Sequence, residues 1–274
     1  MGCRVHGGKQ EAGQGVSLCA EADLPDWLSL LLPIVAAPFI GSFLGVLIRR
    51  LPDGRPVVLA RSACEGCGAT LSALEMVPLA SFSALRGRCR RCGAAIGWFH
   101  PAVELAATGV AVWAVLAAPD PAEAWTDCVL GWGLLALAWI DWQHMRLPDA
   151  ITLPLVLLGL AATWWLAPWD ITDHAVGTAI GYLGFRAVAG LYRWWRGRDG
   201  LGQGDAKLLA AAGAWVGWAA LPTLIFTAAL LGLLLALAEK LRGRSVGTQT
   251  MLPFGPCLAV ALWLIRLYGM PLGG

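Results

Sequence analysis

Long apolar blocks alternate with shorter polar connections along this chain. The blocks are Trp27–Ile48, Pro101–Ala118, Trp125–Ile140, Ile151–Ala167, Ala175–Leu191, Leu208–Thr223, Leu224–Ala238 and Leu252–Leu267. Most approach the roughly 20 residues that a membrane-spanning helix needs, and some fall at or below the low end. The pattern predicts an all-α polytopic membrane protein with about eight transmembrane helices. The third and sixth blocks are short and interrupted by glycine. A soluble helical protein can hide one or two such blocks, but not eight.

Composition supports this. The 274 residues are 58% hydrophobic and 14% charged, where a soluble domain carries about 25% charged residues. Mean hydropathy is +0.65. The net charge of +2 says little, but its placement says more. Of the 20 Lys and Arg, 16 fall in Arg49–His100, Asp141–Ala150, Arg193–Lys207 and Lys240–Arg244. The alternate connections near Asp120, Asp170 and Leu221 hold none. Positive residues gather in cytoplasmic loops, so the N-terminus is expected outside, the Arg49–His100 loop inside, and every second connection after it inside. Residues 1–24 are polar and Gly-rich, without the apolar core of a signal peptide. They read as a disordered tail, with the first span as an uncleaved insertion signal.

Two parts follow. Residues 25–118 hold two spans around a polar loop, 49–100, and residues 125–270 hold six spans with short connections. The loop contains Cys64-Glu-Gly-Cys67 and Cys89-Arg-Arg-Cys92. Two CxxC knuckles at this spacing are a tetrathiolate zinc signature, and nearby glycines at 66, 68 and 93 ease the turns. Reducing cytoplasm disfavours lasting disulfides, and metal binding can supply the folding energy of so small a loop. Redox pairing or unligated thiols are the competing reading. Four thiolates would fill a tetrahedral Zn2+, so the ion is expected to be structural. Cys128 and Cys257 lie in apolar blocks and read as small packing residues. The run Arg86-Gly-Arg-Cys-Arg-Arg91 raises the question of nucleic acid. Beside a cytoplasmic face, anionic lipid headgroups are the simpler partner.

Acidic residues at the edge of hydrocarbon are costly and usually functional. Asp141 ends the third span and Asp205 begins the sixth, in Gly202-Gln-Gly204-Asp205-Ala-Lys207. The topology puts both at the cytoplasmic face. Brought together, two carboxylates share a proton, so one can act as base on water and the other as acid. Gly202 and Gly204 would let a substrate backbone approach Asp205, and Lys207 would tune the local potential. The plainer readings make Asp205 a helix N-cap and Asp141 a solvated helix end. Asp149 reads as the cap of the next helix. Glu104, near the cytoplasmic end of the second span, is either buried and functional or merely favourable at a helix N-terminus.

Taken together, these segments resemble the type IV prepilin peptidase family, the bifunctional leader peptidases and N-methyltransferases of pilus and type II secretion systems. The resemblance is carried by Gly41-Ser-Phe-Leu-Gly-Val-Leu-Ile-Arg-Arg-Leu-Pro52, the two CxxC pairs, Leu85-Arg-Gly-Arg-Cys89 and Pro101-Ala-Val-Glu104-Leu. It continues through Asp141-Trp-Gln-His-Met-Arg-Leu-Pro-Asp149 and the Gly202–Lys207 segment. It implies a bacterial inner-membrane enzyme whose catalytic pair is Asp141 and Asp205. Its substrates would be prepilins or pseudopilins, cut on the cytoplasmic side, with S-adenosylmethionine as methyl donor for the new N-terminus. The family's N-terminal part, with its cysteine loop, is associated with that second reaction. Gly45 departs from the family pattern, which usually has Asn there.

Three alternatives remain on the sequence. One is a peptidase without methyltransferase activity. A proton- or ion-coupled transporter would place acids near the middle of spans and show inverted repeats. A zinc-loop adaptor would need the cysteines alone and leave the Gly202–Lys207 segment without a purpose.

Overall fold

The computed structural model describes residues 26–57, 64, 66–70, 72, 78–197, 202–243 and 252–269. The predicted N-terminal tail, residues 1–24, lies outside these. The chain forms α1 (Asp26–Arg50), α2 (Ala80–Ala84), α3 (Phe99–Ala117), α4 (Pro121–His144), α5 (Asp149–Leu166), α6 (Ile171–Arg196), α7 (Gln203–Val216), α8 (Leu221–Leu241) and α9 (Gly255–Tyr268). Among the described residues there is no strand; Arg88 and Ala95 form an isolated bridge. The all-α reading therefore holds, and the apolar blocks fall on helices.

The sequence leads to about eight membrane-crossing helices. By length and composition, four qualify among the described residues: α1, α3, α5 and α8. Helices α4 and α6 have the length, with 24 and 26 residues, but carry acidic, basic and histidine residues. Helices α7 and α9 have only 14 residues each. Apolar blocks mark burial in protein as well as burial in lipid. In α7, nine residues in a row apart from Lys207, from Ala206 to Trp215, are buried. The sixth and seventh blocks also divide earlier than the sequence suggested. Gly217 ends α7 in a left-handed conformation, φ +74, and Pro222 sits in the first turn of α8, so Leu221–Thr223 belong to α8.

Local signals explain several boundaries. Asp120 caps α4, its carboxylate accepting from the backbone N–H groups of Ala122 and Glu123 at 2.8 and 2.9 Å. This satisfies donors that a helix start otherwise leaves unpaired. Gly197 ends α6 in the left-handed region, the usual place for glycine. Packing between helices then depends on missing side chains. Helices α6 and α7 meet backbone to backbone: a Cβ on Gly213 would lie 2.2 Å from the Gly177 carbonyl, and one on Gly181 would lie 2.4 Å from the Leu209 oxygen. Helices α1 and α3 meet the same way, with a Gly41 Cβ 2.6 Å from Glu104 Cα.

A methyl group cannot enter the α6–α7 contact without separating the helices. Gly213→Ala should cost about 1–3 kcal/mol and lower the unfolding temperature in detergent. Gly184, on α6 with open space around it, should accept alanine with no loss. Equal melting of the two variants would show that the backbones are not in contact.

Candidate active site

Asp141 lies in the last turn of α4 and is only 6% exposed. The plainer reading of a solvated helix end does not hold for it. A buried carboxylate needs donors, and one is supplied from far along the chain. The backbone N–H of Gly255, first residue of α9, donates to Asp141 Oδ2 at 3.0 Å. Helix N-termini suit negative charge, since their N–H groups are unpaired and the helix dipole adds to them. The contact also explains the residue at 255. A Cβ there would stand 2.6 Å from Asp141 Oδ2.

Asp205 sits in the first turn of α7, third residue after its N-cap Gly202. It is not the N-cap itself. Its carboxylate reaches back to accept from the Gly202 backbone N–H, the carboxylate half of a capping box. The charge on Asp141 acts on Asp205. The two aspartates thus stand at the same end of the helices, within electrostatic reach, each tied to a backbone N–H.

The neighbouring glycines have internal partners. A Cβ on Gly202 would meet Asp205 Oδ2 at 2.9 Å, and one on Gly204 would meet Leu147 Cβ at 2.9 Å. The space beside both is used by the protein's own side chains, not left open for a substrate backbone. Lys207 is ion-paired with Asp149. Asp149 is the first residue of α5, and the N-cap position is taken by Pro148, so it departs from its expected role as the cap.

Glu104 stands apart from the aspartates. It is 5% exposed on α3, accepts from the Leu79 backbone N–H at 2.9 Å and from the Ser42 side chain. It ties α1, α3 and the end of the polar loop together, which settles it as buried. One turn before it, the His100 ring occupies the place of a side chain at Gly45, with Nδ1 2.7 Å from a Cβ built there. His100 thus fills the room where the family usually has Asn.

The cysteine loop converges. The Sγ atoms of Cys64, Cys67, Cys89 and Cys92 all lie within 4.8 Å of one another, and those of Cys64 and Cys92 are 3.8 Å apart. Ligands about 2.3 Å from a tetrahedral zinc ion would be separated by about 3.8 Å, so the donor set fits the ion. The two knuckles share one backbone pattern. In one, Gly68 N–H donates to the Cys64 oxygen at 2.8 Å and Cys64 N–H to the Ala69 oxygen at 2.9 Å. In the other, Gly93 donates to Cys89 at 2.9 Å and Cys89 to Ala94 at 2.8 Å. Gly68 and Gly93 both take φ near +70, as such turns require. Backbone N–H groups of Cys92 and Arg91 draw the Cys89 thiol down to about 6. The Ala94 N–H favours the Cys92 thiolate, but the facing sulfurs of Cys89, Cys67 and Cys64 outweigh it and push that thiol up to about 11. Four sulfurs this close cannot all ionise without a cation among them.

Gly255 was not a sequence candidate. Its only signal is the Gly255-Pro256 pair opening an apolar block, which marks a helix start and nothing about a carboxylate 114 residues earlier. Cys128 and Cys257 are buried, at 0% and 6% exposed.

Comparison with known proteins accounts for most of the chain. The model of the type IV leader peptidase family matches residues 128–237, and that of the bacterial peptidase A24 N-terminal domain matches residues 35–118. A prepilin leader peptidase/N-methyltransferase of Burkholderia pseudomallei is 37% identical over 97% of this chain and 94% of its own length. One from Pseudomonas aeruginosa is 37% identical over 88% of this chain and 90% of its length, and one from Dichelobacter nodosus is 39% identical over 79% and 74%. No solved structure matches the chain. With its apolar helices, paired acidic residues and this extent of identity, the chain belongs to the type IV leader peptidase family.

Proposed function

We propose that this protein removes the leader peptide of type IV prepilins or pseudopilins with Asp141 and Asp205 as its catalytic pair, and then N-methylates the new N-terminus. The observation that carries the peptidase reading is the pair itself: two acidic residues from separate helices, at one end of the bundle, each held by a backbone N–H, with the charge of Asp141 acting on Asp205. In the resulting reaction one carboxylate takes a proton from water as its oxygen attacks the scissile carbonyl. The other gives a proton to the leaving amine as the C–N bond breaks. The negative charge shared by the pair suits one proton between two oxygens. The substrate's apolar helix, lying along the enzyme's own, would hold the bond in reach of the water.

Methylation would draw on S-adenosylmethionine, as the relatives' names suggest. Among the described residues no buried polar side chain lacks a partner, and Glu104 is engaged by Leu79 and Ser42. The four cysteines would hold Zn2+ as a structural ion that orders the loop. We read residues 25–118 as the cysteine-loop region and 125–270 as the peptidase region. The charge distribution supports an orientation with the N-terminus outside and the aspartates at the cytoplasmic face of the inner membrane.

Replacing either aspartate by asparagine should reduce prepilin cleavage by about 10^2- to 10^4-fold with the protein still inserted. Mass spectrometry of prepilin incubated with the purified enzyme would report cleavage and any added methyl together. Cleavage retained by Asp141→Asn or Asp205→Asn would remove the assignment. Gly255→Ala should cut the rate by about 10^2-fold, because the added methyl displaces the Asp141 carboxylate. A wild-type rate would show that the Gly255 contact does not hold Asp141 in place. For the metal, elemental analysis should find zinc in the wild-type protein and none after Cys64→Ser with Cys92→Ser. Wild-type protein purified without zinc, with its thiols titratable, would rule the site out.

A further inference from the structure

The connection between α4 and α5 takes no part in the chemistry above, yet it touches the helix of Asp205 at two points. Helix α4 ends at Met145, whose backbone is left-handed, φ 53. The turn then brings Leu147, 9% exposed, against Gly204, where an added Cβ would fall 2.9 Å from Leu147 Cβ. Two residues later Asp149 opens α5, and its carboxylate accepts from Lys207 Nζ. These contacts flank Asp205 on its own helix, one residue before it and two after. Meanwhile α7 starts without a side-chain cap from Gly202.

The turn leaves directly from the helix that carries Asp141. Nine residues of chain, from Asp141 to Asp149, therefore hold the first aspartate and reach across to the support of the second. The Lys207 and Asp149 side chains are 29% and 54% exposed. Pairs that open to solvent add little to fold stability. What this pair can do is restrict where the first turn of α7 stands.

We propose that the Lys207–Asp149 ion pair, seated on the Leu147–Gly204 contact, is a latch that sets the position of Asp205 relative to Asp141. Lys207 and Asp149 are then positioning residues: they act through Asp205 and touch neither water nor substrate. The proposal rests on the aspartate-pair reading. It differs from the sequence expectation for Lys207, which had that residue tuning the potential at the site directly.

The test is the initial rate of prepilin cleavage by full-length enzyme in detergent–lipid micelles. Lys207→Met and Asp149→Asn should each lower kcat by about tenfold, with KM and unfolding temperature unchanged. The double variant should be no slower than either single one, because a latch is lost only once. Lys207→Arg, which keeps the pair, should retain most of kcat. Wild-type kcat in either single variant overturns the proposal. So does multiplication of the two losses to about a hundredfold, or a loss that appears in KM or in melting rather than in kcat. Should Asp149→Asn fail to accumulate, Lys207→Met against Lys207→Arg decides: equal kcat in the two overturns the latch. Asp205→Asn runs in parallel. If it cleaves, the aspartate-pair reading fails. If it is inactive while both single variants are wild type, only the latch fails.

Discussion

A buried carboxylate at the end of α4, satisfied by the first N–H of α9, is the constraint around which the peptidase half is arranged. Asp141 can be buried only if a donor reaches it, and that donor comes from Gly255 at 3.0 Å. Helix α9 must then begin at this spot and run back along α4. The far end of the same pairing repeats the device with side chains. Arg266 Nε donates to Asp127 Oδ1 at 2.7 Å, and Asp127 is 3% exposed. Breaking one partner of so buried a pair is costly, since the other charge is left without compensation. Between the two ends, Gly131 lets the Trp263 ring approach to 2.6 Å of where its Cβ would be. Helix α9 is thus held against α4 at its start, middle and end, although it lies beyond the segments matched by either family model.

The N-terminal helices join this core through polar bonds as well as packing. Trp132 on α4 donates its indole N–H to the Ala107 oxygen on α3 at 3.0 Å. Trp113 on α3 donates to the Tyr268 hydroxyl at 2.7 Å, and the rings of Phe99 and Trp139 meet edge to face. In the bilayer there is little hydrophobic drive between helices, so small residues and such hydrogen bonds carry much of the association. Glu104 extends the same logic toward the loop, with Ser42 on one side and the Leu79 N–H on the other. Among its described residues the cysteine loop shows little regular structure beyond a five-residue helix, and the Glu104 carboxylate ties its end to the helices.

What the sequence revealed follows from which forces act locally. Apolar runs identified the helices, because hydropathy is a property of short stretches, and charge placement led to Asp141 and Asp205 being expected at one face, while their pairing came chiefly from the family resemblance. The CxxC knuckles were legible for the same reason: each turn is set by five or six consecutive residues. The partners were not. Gly255 to Asp141, Lys207 to Asp149 and Arg266 to Asp127 span 114, 58 and 139 residues, and a lone Gly, Lys or Arg does not announce its acceptor. The roles given to Gly202 and Gly204 show the same limit. Sequence says only that a side chain is missing, and here Asp205 and Leu147 take the vacant space. Helices α7 and α9 are apolar and largely buried against other helices, so an apolar run alone does not separate burial in protein from burial in lipid.

This difference in surroundings bears on the aspartates. Asp141 belongs to the interior pair α4 and α9. Asp205 belongs to α7, which lies backbone to backbone against α6 at Gly177, Gly181 and Gly213. Helix α6 in turn exposes Leu183, Val188, Leu191, Trp194 and Trp195, a face suited to lipid. With no side chain between them, α6 and α7 move as one body, since interiors packed at contact distance pass on displacement instead of absorbing it. Asp141 and Asp205 thus sit on different helical units, one within the protein and one bordering the bilayer. Their separation depends on how α7 seats on its other neighbours. There, Trp215 donates to the Leu155 oxygen at 2.9 Å, and Gly159 admits the same indole to 2.7 Å of its own missing Cβ. The pair is therefore a property of the whole helical assembly, and α5, which contributes no catalytic group, helps to decide whether one water can reach both acids.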